Sequence, residues 1–249
     1  PHTEQGRDKT ARKRLMMQKT VLIAVLCTAL APLTATAEVT GAQVGLQYSG
    51  YGDADARDMH KTTLGGALEY AITPEFSVQG DVAQRYYGVA SWEGTTGTMH
   101  GTYHASNGAA VGGFYGHDWI KGKDSDYYGL EGAQSFGQTR VEGYAGYIRG
   151  ASENKGTTLG GSATFAATDR LGLGGEYAMI NNDDKLQRLG ATATYAFPAG
   201  YAIDGEIGMA DRANSDKEAF VSLGVRATFG GQNGVTFGER GLQALYPGR

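Results

Sequence analysis

From Val39 onward the chain alternates. In Val39–Tyr51, Ala42, Val44, Leu46 and Tyr48 fall on one parity, and Gln43, Gly45, Gln47 and Ser49 on the other. Side chains alternate across an extended strand, so such a run has one apolar face and one polar or tiny face. Thr62–Ile72 sets Leu64, Leu68, Tyr70 and Ile72 against Thr63, Ala67 and Glu69. Phe76–Tyr87 sets Phe76, Val78, Val82 and Tyr86 against Gln79, Asp81 and Arg85. The same pattern predicts strands at Gly97–Ala105, Ala109–Trp119, Tyr127–Phe136, Thr139–Arg149, Thr158–Phe165, Leu171–Ile180, Leu186–Phe197, Tyr201–Ala210 and Ala219–Phe229. Ala109–Trp119 is the ambiguous one, because Val111/Tyr115 and Ala110/Phe114 offer two apolar faces. Alternating runs of about ten residues suit strands tilted across a bilayer.

The connections carry a second regularity. Pro74, Asn107, Gln138, Thr168 and Ala199 mark tight turns spaced about 31 residues apart, and the next such step reaches Gly230, where the alternation stops. One period is one hairpin: two strands, a tight turn and a longer polar loop. The longer connections include the acidic stretch at Asp53, Asp55 and Asp58, a loop around Trp92–Gly94, the charged stretch Lys121–Asp126, and Asp183–Asp184. About twelve strands result. Short turns alternating with longer loops, and an even strand count, are the marks of outer-membrane barrels, whose short turns lie in the periplasm.

Aromatic residues fall at both strand ends. Tyr70, Phe76, Phe136, Phe165, Tyr195, Phe197, Tyr201 and Phe229 sit beside short turns, whereas Tyr48, Tyr86, Trp119, Tyr128, Tyr147 and Tyr177 sit near the longer loops. Two girdles are expected where amphipathic rings meet two membrane interfaces. Composition agrees: 40 glycines against 5 prolines, without the glycine period of collagen. No stretch of about twenty apolar residues is present, so an ordinary membrane-spanning helix is not expected.

The first 37 residues have a different character. Lys19, the apolar run Thr20–Leu33 and the small-x-small triplet Ala35-Thr36-Ala37 read as a cleaved secretory signal, with Pro1–Leu15 an upstream extension. Cys27, the only cysteine, lies inside that segment, so the exported part has no disulfide framework. Beyond residue 37 there remain 16 basic and 24 acidic side chains, a net charge of −8. An acidic surface without a basic patch argues against nucleic-acid binding.

The chain resembles the porin-like outer-membrane β-barrels of Gram-negative bacteria over roughly Val39–Phe229. Its final strand, Leu223-Gly224-Val225-Arg226-Ala227-Thr228-Phe229, looks like the aromatic-ended signal read by barrel-assembly machinery, although about twenty residues follow Phe229. The expected fold is all-β, a transmembrane up-and-down antiparallel β-barrel of about twelve strands. Residues 1–37 are the leader, 38–230 the barrel and 231–249 a C-terminal tail without alternation. The tail is expected as a periplasmic end, with a lumen plug or a partner contact as the other placements. The resemblance implies residence in the outer membrane with both termini periplasmic, contact with lipid and lipopolysaccharide, and assembly as a homotrimer in the manner of many porins.

The alternation assigns Glu69, Asp81, Arg85, Glu131, Arg140, Glu142, Glu176, Arg188, Asp204, Glu206 and Arg226 to the lumen, as pore-lining residues. On a lipid face such charges would cost roughly 2–4 kcal/mol each. Twelve strands enclose a backbone radius of roughly 12 Å, enough for a narrow channel. Asp81, Glu131, Glu176 and Glu206 lie near mid-strand, which predicts an acidic constriction and a mild preference for cations; pairing of these charges into a salt-bridged plug is the competing arrangement.

Other chemistry is weaker. His100 and His104 share a strand face but lie roughly 13 Å apart, too far to chelate one metal. The acidic loops lack the spacing of a calcium-binding hand. His60 with Asp58 and His117 with Asp118 are the candidates for rim catalysis. The sequence thus favours a non-enzymatic channel for passive diffusion of ions or small hydrophilic solutes, without cofactor or metal. The alternatives are a closed structural or adhesion barrel and, behind it, a rim-sited hydrolase.

Overall fold

The computed structural model describes residues 38–247 apart from 53–58, 89–91, 121–122, 151–154, 183–184, 214–216 and 232–233. Residues 1–37, expected as a leader and containing Cys27, and the acidic stretches at Asp53–Asp58 and Asp183–Asp184 lie outside the described residues. Twelve strands form: β1 (Glu38–Tyr51), β2 (His60–Ala71), β3 (Phe76–Tyr87), β4 (Trp92–His104), β5 (Ala109–Ile120), β6 (Lys123–Phe136), β7 (Thr139–Gly150), β8 (Gly156–Ala166), β9 (Leu171–Asn181), β10 (Gln187–Ala196), β11 (Tyr201–Asp211) and β12 (Glu218–Phe229). Each pairs antiparallel with its sequence neighbours. β1 pairs with β12 from Ala42↔Phe229 to Tyr51↔Phe220, and this seam closes the barrel. Closure leaves no unpaired sheet edge.

The two faces differ as the alternation predicts. Val44, Leu46, Leu64, Leu130, Leu189, Ile207, Leu223 and Val225 stand exposed on the outside, between rings that include Phe76, Phe136, Tyr201 and Phe229 at one end and Tyr48, Tyr86, Trp119 and Tyr128 at the other. Inside, Thr63, Glu69, Gln79, Asp81, Arg85, Thr98, His100 and Glu131 are buried. In β5 the ambiguity resolves: Val111, Tyr115 and Trp119 face out, and Ala110, Phe114 and Asp118 face in.

The strands outrun the predicted boundaries at two places. β4 begins at Trp92 and β6 at Lys123, so the stretches around Trp92–Gly94 and Asp124–Asp126, expected as loops, are strand. There Asp126 pairs with His117, and Asp124 with Trp119. Both strands continue past the apolar belt, where a polar outer face looks like a loop. The connection between β5 and β6 is therefore only residues 121–122. The rim bearing the connections β1–β2, β3–β4, β5–β6, β7–β8, β9–β10 and β11–β12 is the loop end, and the opposite rim the turn end.

After β12 the chain does not trail away from the turn end. It turns inward, runs along the inner wall and reaches the loop end, where a short helix α1 (Leu242–Leu245) forms. Phe237, Leu242, Leu245 and Tyr246 are buried there. For residues 234–247 the placement expected as a periplasmic tail thus gives way to that of a lumen plug. The physical reason is a set of buried wall charges that need partners.

Candidate functional site

All eleven charged residues assigned to the lumen stand on the inward face of their strands. They do not form an open ring. Glu206 and Glu176 share Arg188, the latter at 3.1 Å. Asp204 binds Arg226 through two parallel bonds of 2.9 and 3.0 Å. Arg140 lies 3.9 Å from Glu142. Planar guanidinium groups match carboxylates in this bidentate way. Among the mid-height acids, Asp81 and Glu131 are bridged by His100, at 2.9 and 2.6 Å, each ring nitrogen facing one carboxylate. The competing arrangement, in which lumenal charges pair with one another, is therefore the one observed.

The remaining partners come from the C-terminal segment, residues 234–247. At the turn end Glu69 accepts the Thr236 N–H at 2.7 Å and the Thr236 hydroxyl at 2.8 Å. Gln79 accepts the Phe237 N–H at 3.1 Å and donates to the Phe237 carbonyl at 2.8 Å, so one side-chain amide reads both backbone groups of one residue. The Phe237 ring stacks on His100. Glu142 accepts the Gly238 N–H at 3.1 Å. Arg85 pairs with Glu239.

At mid-height Arg240 joins Glu131, at 2.9 Å, to Glu142, at 2.7 Å, with its guanidinium 4.4 Å from the centre of the Tyr144 ring. Farther on, Asp118 accepts the Leu242 N–H at 2.7 Å. The Lys61 ammonium donates to the carbonyls of Gln243 and Tyr246, and Arg188 to that of Ala244 at 3.2 Å. Cations at a helix C-terminus satisfy carbonyls that lack partners within the helix. Ser49 donates to the Pro247 carbonyl.

At the loop end the seal is apolar. Inward-facing Tyr127, Ile148, Ile180 and Phe220 cluster with Leu186 and with Leu242, Leu245 and Tyr246 of the segment. Beside the segment a cavity of about 180 Å³ remains, bordered by Gln43, Gln47, Asp81, Asp204, Arg226 and Glu239. Close approach of the segment uses particular glycines. A Cβ at Gly94 would meet the Gln243 side chain at 1.8 Å. Gly241 has φ +112° and faces Asp118 and Tyr127.

The His117–Asp118 constellation does not form. His117 and Asp118 are adjacent, so they point to opposite faces. His117 bonds Asp126 at 2.8 Å outside, while Asp118 serves the segment inside. The partner weighed for His60, Asp58, is outside the described residues. His104 approaches Ser77 at 2.8 Å, but Ser77 donates to Glu69 at 2.6 Å, the reverse of what a nucleophile held by a base requires.

Sequence reasoning did not pick Lys61, Gln79 or Asp118 as lumen-site residues, and held the lumen plug only as an alternative placement of the tail. A usable signal was present. Ile148, Ile180 and Phe220 are apolar on an otherwise polar parity, all at the loop end, and the tail carries Leu242, Leu245 and Tyr246 at helical spacing.

No protein-family model and no curated protein sequence matches the chain. Solved structures do match in shape. A KdgM porin in complex with disordered oligogalacturonate aligns with TM-score 0.59 at 13% identity, over 75% of this chain and 99% of that one. The fold is that of a porin-like β-barrel. An outer membrane channel from Pseudomonas putida F1 aligns with TM-score 0.53 at 14% identity, over 80% of this chain and all of that one.

Proposed function

We propose that the chain is a porin-like channel of the Gram-negative outer membrane that passes ions or small hydrophilic solutes by passive diffusion, without turnover chemistry. The observation that carries this reading is the inversion of polarity across the wall: an exposed apolar belt outside, and carboxylates, guanidinium groups, threonines and glycines inside. Neighbours of the same fold are named as a porin and an outer membrane channel, which supports the reading. The turn end is the periplasmic rim in this proposal, as short turns are in outer-membrane barrels. Phe229 at the end of β12 then serves the assembly machinery, and homotrimers are the proposed assembly. Eleven lumenal charges line the path: Glu69, Asp81, Arg85, Glu131, Arg140, Glu142, Glu176, Arg188, Asp204, Glu206 and Arg226. Carboxylates outnumber cations among the charged wall residues named here, which supports a mild preference for cations.

A second reading is favoured by the segment inside the lumen: a closed structural barrel. Planar-bilayer recording separates the two. Conductance steps are expected from the refolded protein, either as isolated or after the C-terminal segment is cut free between Gly231 and Gly234. Silence in both preparations overturns the channel and leaves the structural barrel.

A further inference from the structure

We propose that the inner wall formed by β1–β7, together with Arg188 of β10, is a peptide-binding track, and that residues 234–247 are its resident intramolecular ligand, so that the barrel is closed by an occupant it can release. The inference rests on the channel reading only for its consequence, closure; the binding site itself stands on the contacts.

The wall reads the segment chiefly through its backbone. Glu69, Gln79, Glu142 and Asp118 accept N–H groups of Thr236, Phe237, Gly238 and Leu242. Gln79, Arg140, Lys61, Arg188 and Ser49 donate to carbonyls of Phe237, Thr236, Gln243, Ala244 and Pro247. Backbone reading by a wall, with pockets for selected side chains, is how extended peptides are recognised. Side chains add selection: Phe237 stacks against His100, Glu239 pairs with Arg85, Arg240 lies between Glu131 and Glu142 three residues after Phe237, and Leu242, Leu245 and Tyr246 fill the apolar end. The ligand class is a linear peptide with an aromatic residue three positions before an arginine and a helical turn beyond it.

Several of these wall groups keep a partner without the occupant, whereas Lys61 and Glu142 take their hydrogen bonds from it. Glu69 retains Ser77 at 2.6 Å, Gln79 retains Asp81 at 2.8 Å, Glu131 retains His100 at 2.6 Å, and Asp118 retains Thr96 at 2.6 Å. Arg85 likewise keeps Thr96 at 2.7 Å. A buried carboxylate stripped of every partner would be costly. Here Glu69, Glu131 and Asp118 each keep one from the wall, and water entering the vacated lumen takes the rest of the segment's place. The segment is tied to β12 by a short connection with positive-φ glycines at Gly230 and Gly234. A tether of this length holds an effective concentration on the order of millimolar. An external peptide competes poorly until the tether is cut.

The experiment therefore keeps the full chain through folding. A protease site is inserted between Gly231 and Gly234, the protein is refolded and checked by heat-modifiable migration, and only then is it cleaved and washed. A fluorescent synthetic peptide of residues 234–249 is the probe. Saturable binding is expected to the cleaved, washed barrel and not to the uncleaved one. Affinity should fall at least tenfold when the peptide carries Arg240→Ala or when the barrel carries Glu131→Gln with Glu142→Gln. A scrambled peptide that binds equally overturns the proposal. So does a cleaved fragment that cannot be washed out, because the segment is then a fixed part of the fold. Conductance is read in parallel. Saturable binding without any change in current upholds the track and defeats the channel reading. Current that rises on washing, with no peptide binding, defeats the track and leaves the channel intact.

Discussion

Arg240 is the residue on which the lumen turns. Its guanidinium neutralises two carboxylates from neighbouring strands, Glu131 on β6 and Glu142 on β7, and lies over the Tyr144 ring. Hydrogen bonds to charged groups contribute about 1.5–3 kcal/mol each, and losing one partner leaves the other's desolvation uncompensated. Arg240→Ala is expected to shift the segment toward release, by about 2 kcal/mol, or roughly thirtyfold in its bound-to-free ratio. Limited proteolysis followed by mass spectrometry of fragments from residues 234–249 reads the released fraction; an unchanged cleavage rate would mean that Arg240 is not an anchor. Gly241→Ala should act in the same direction by another route. Its φ is +112°, and a Cβ would lie 3.0 Å from both the Asp118 carboxylate and the Tyr127 ring. Backbone strain of this kind costs of order 1–3 kcal/mol.

At the scale of the strand, the exposed apolar belt is where the assignment of faces can be tested. Leu223 sits at the middle of β12, opposite Tyr48 on β1 and Gly205 on β11, with its side chain outside. Leu223→Arg is expected to cost about 2–4 kcal/mol in a bilayer. Ser222→Arg faces the lumen and escapes that penalty. Urea unfolding in lipid vesicles compares the two; equal losses would contradict the assignment of faces. This is also the scale at which the sequence was most legible. A period of two identifies each strand and its lipid face, because lipid demands apolar residues at every outward position. It fails where that demand ends. Asp124, Asp126 and Trp92–Gly94 lie on strand beyond the belt, where water permits polar residues on both faces, so they look like loops. The tail was least legible, since its partners are scattered over at least eight strands and no local period records them. Glu131 and Glu142 were readable as lumenal, but not as partners of an arginine about a hundred residues away in sequence.

For the whole molecule, the two halves of the lumen differ in their dependence on the segment. The β2–β7 side gives most of its charges to residues 236–246, whereas the β9–β12 side mainly pairs its own, Arg188 with Glu176 and Glu206 and Arg226 with Asp204, with one further bond from Arg188 to the Ala244 carbonyl. Neutralising that second set has a directional consequence. In the channel proposed here, Glu176→Gln with Glu206→Gln leaves Arg188 as an uncompensated cation in the path. Reversal potentials across a salt gradient should move from a mild cation preference toward anions. No shift on this double substitution would remove Arg188, Glu176 and Glu206 from the conduction path.

The route of the chain also bears on how the protein is handled. The last described residue, Pro247, lies at the loop end, having crossed the lumen from the turn end where β12 finishes. A barrel with a backbone radius of roughly 12 Å admits a single extended strand and excludes a folded domain. A fluorescent protein fused after Arg249 would be too wide to follow the segment inward and would strand it at the turn end. Such a fusion is expected to report on an emptied barrel, with higher conductance and faster tail proteolysis than the same protein labelled ahead of β1. The choice of which terminus carries a label would then decide which form of the protein is purified.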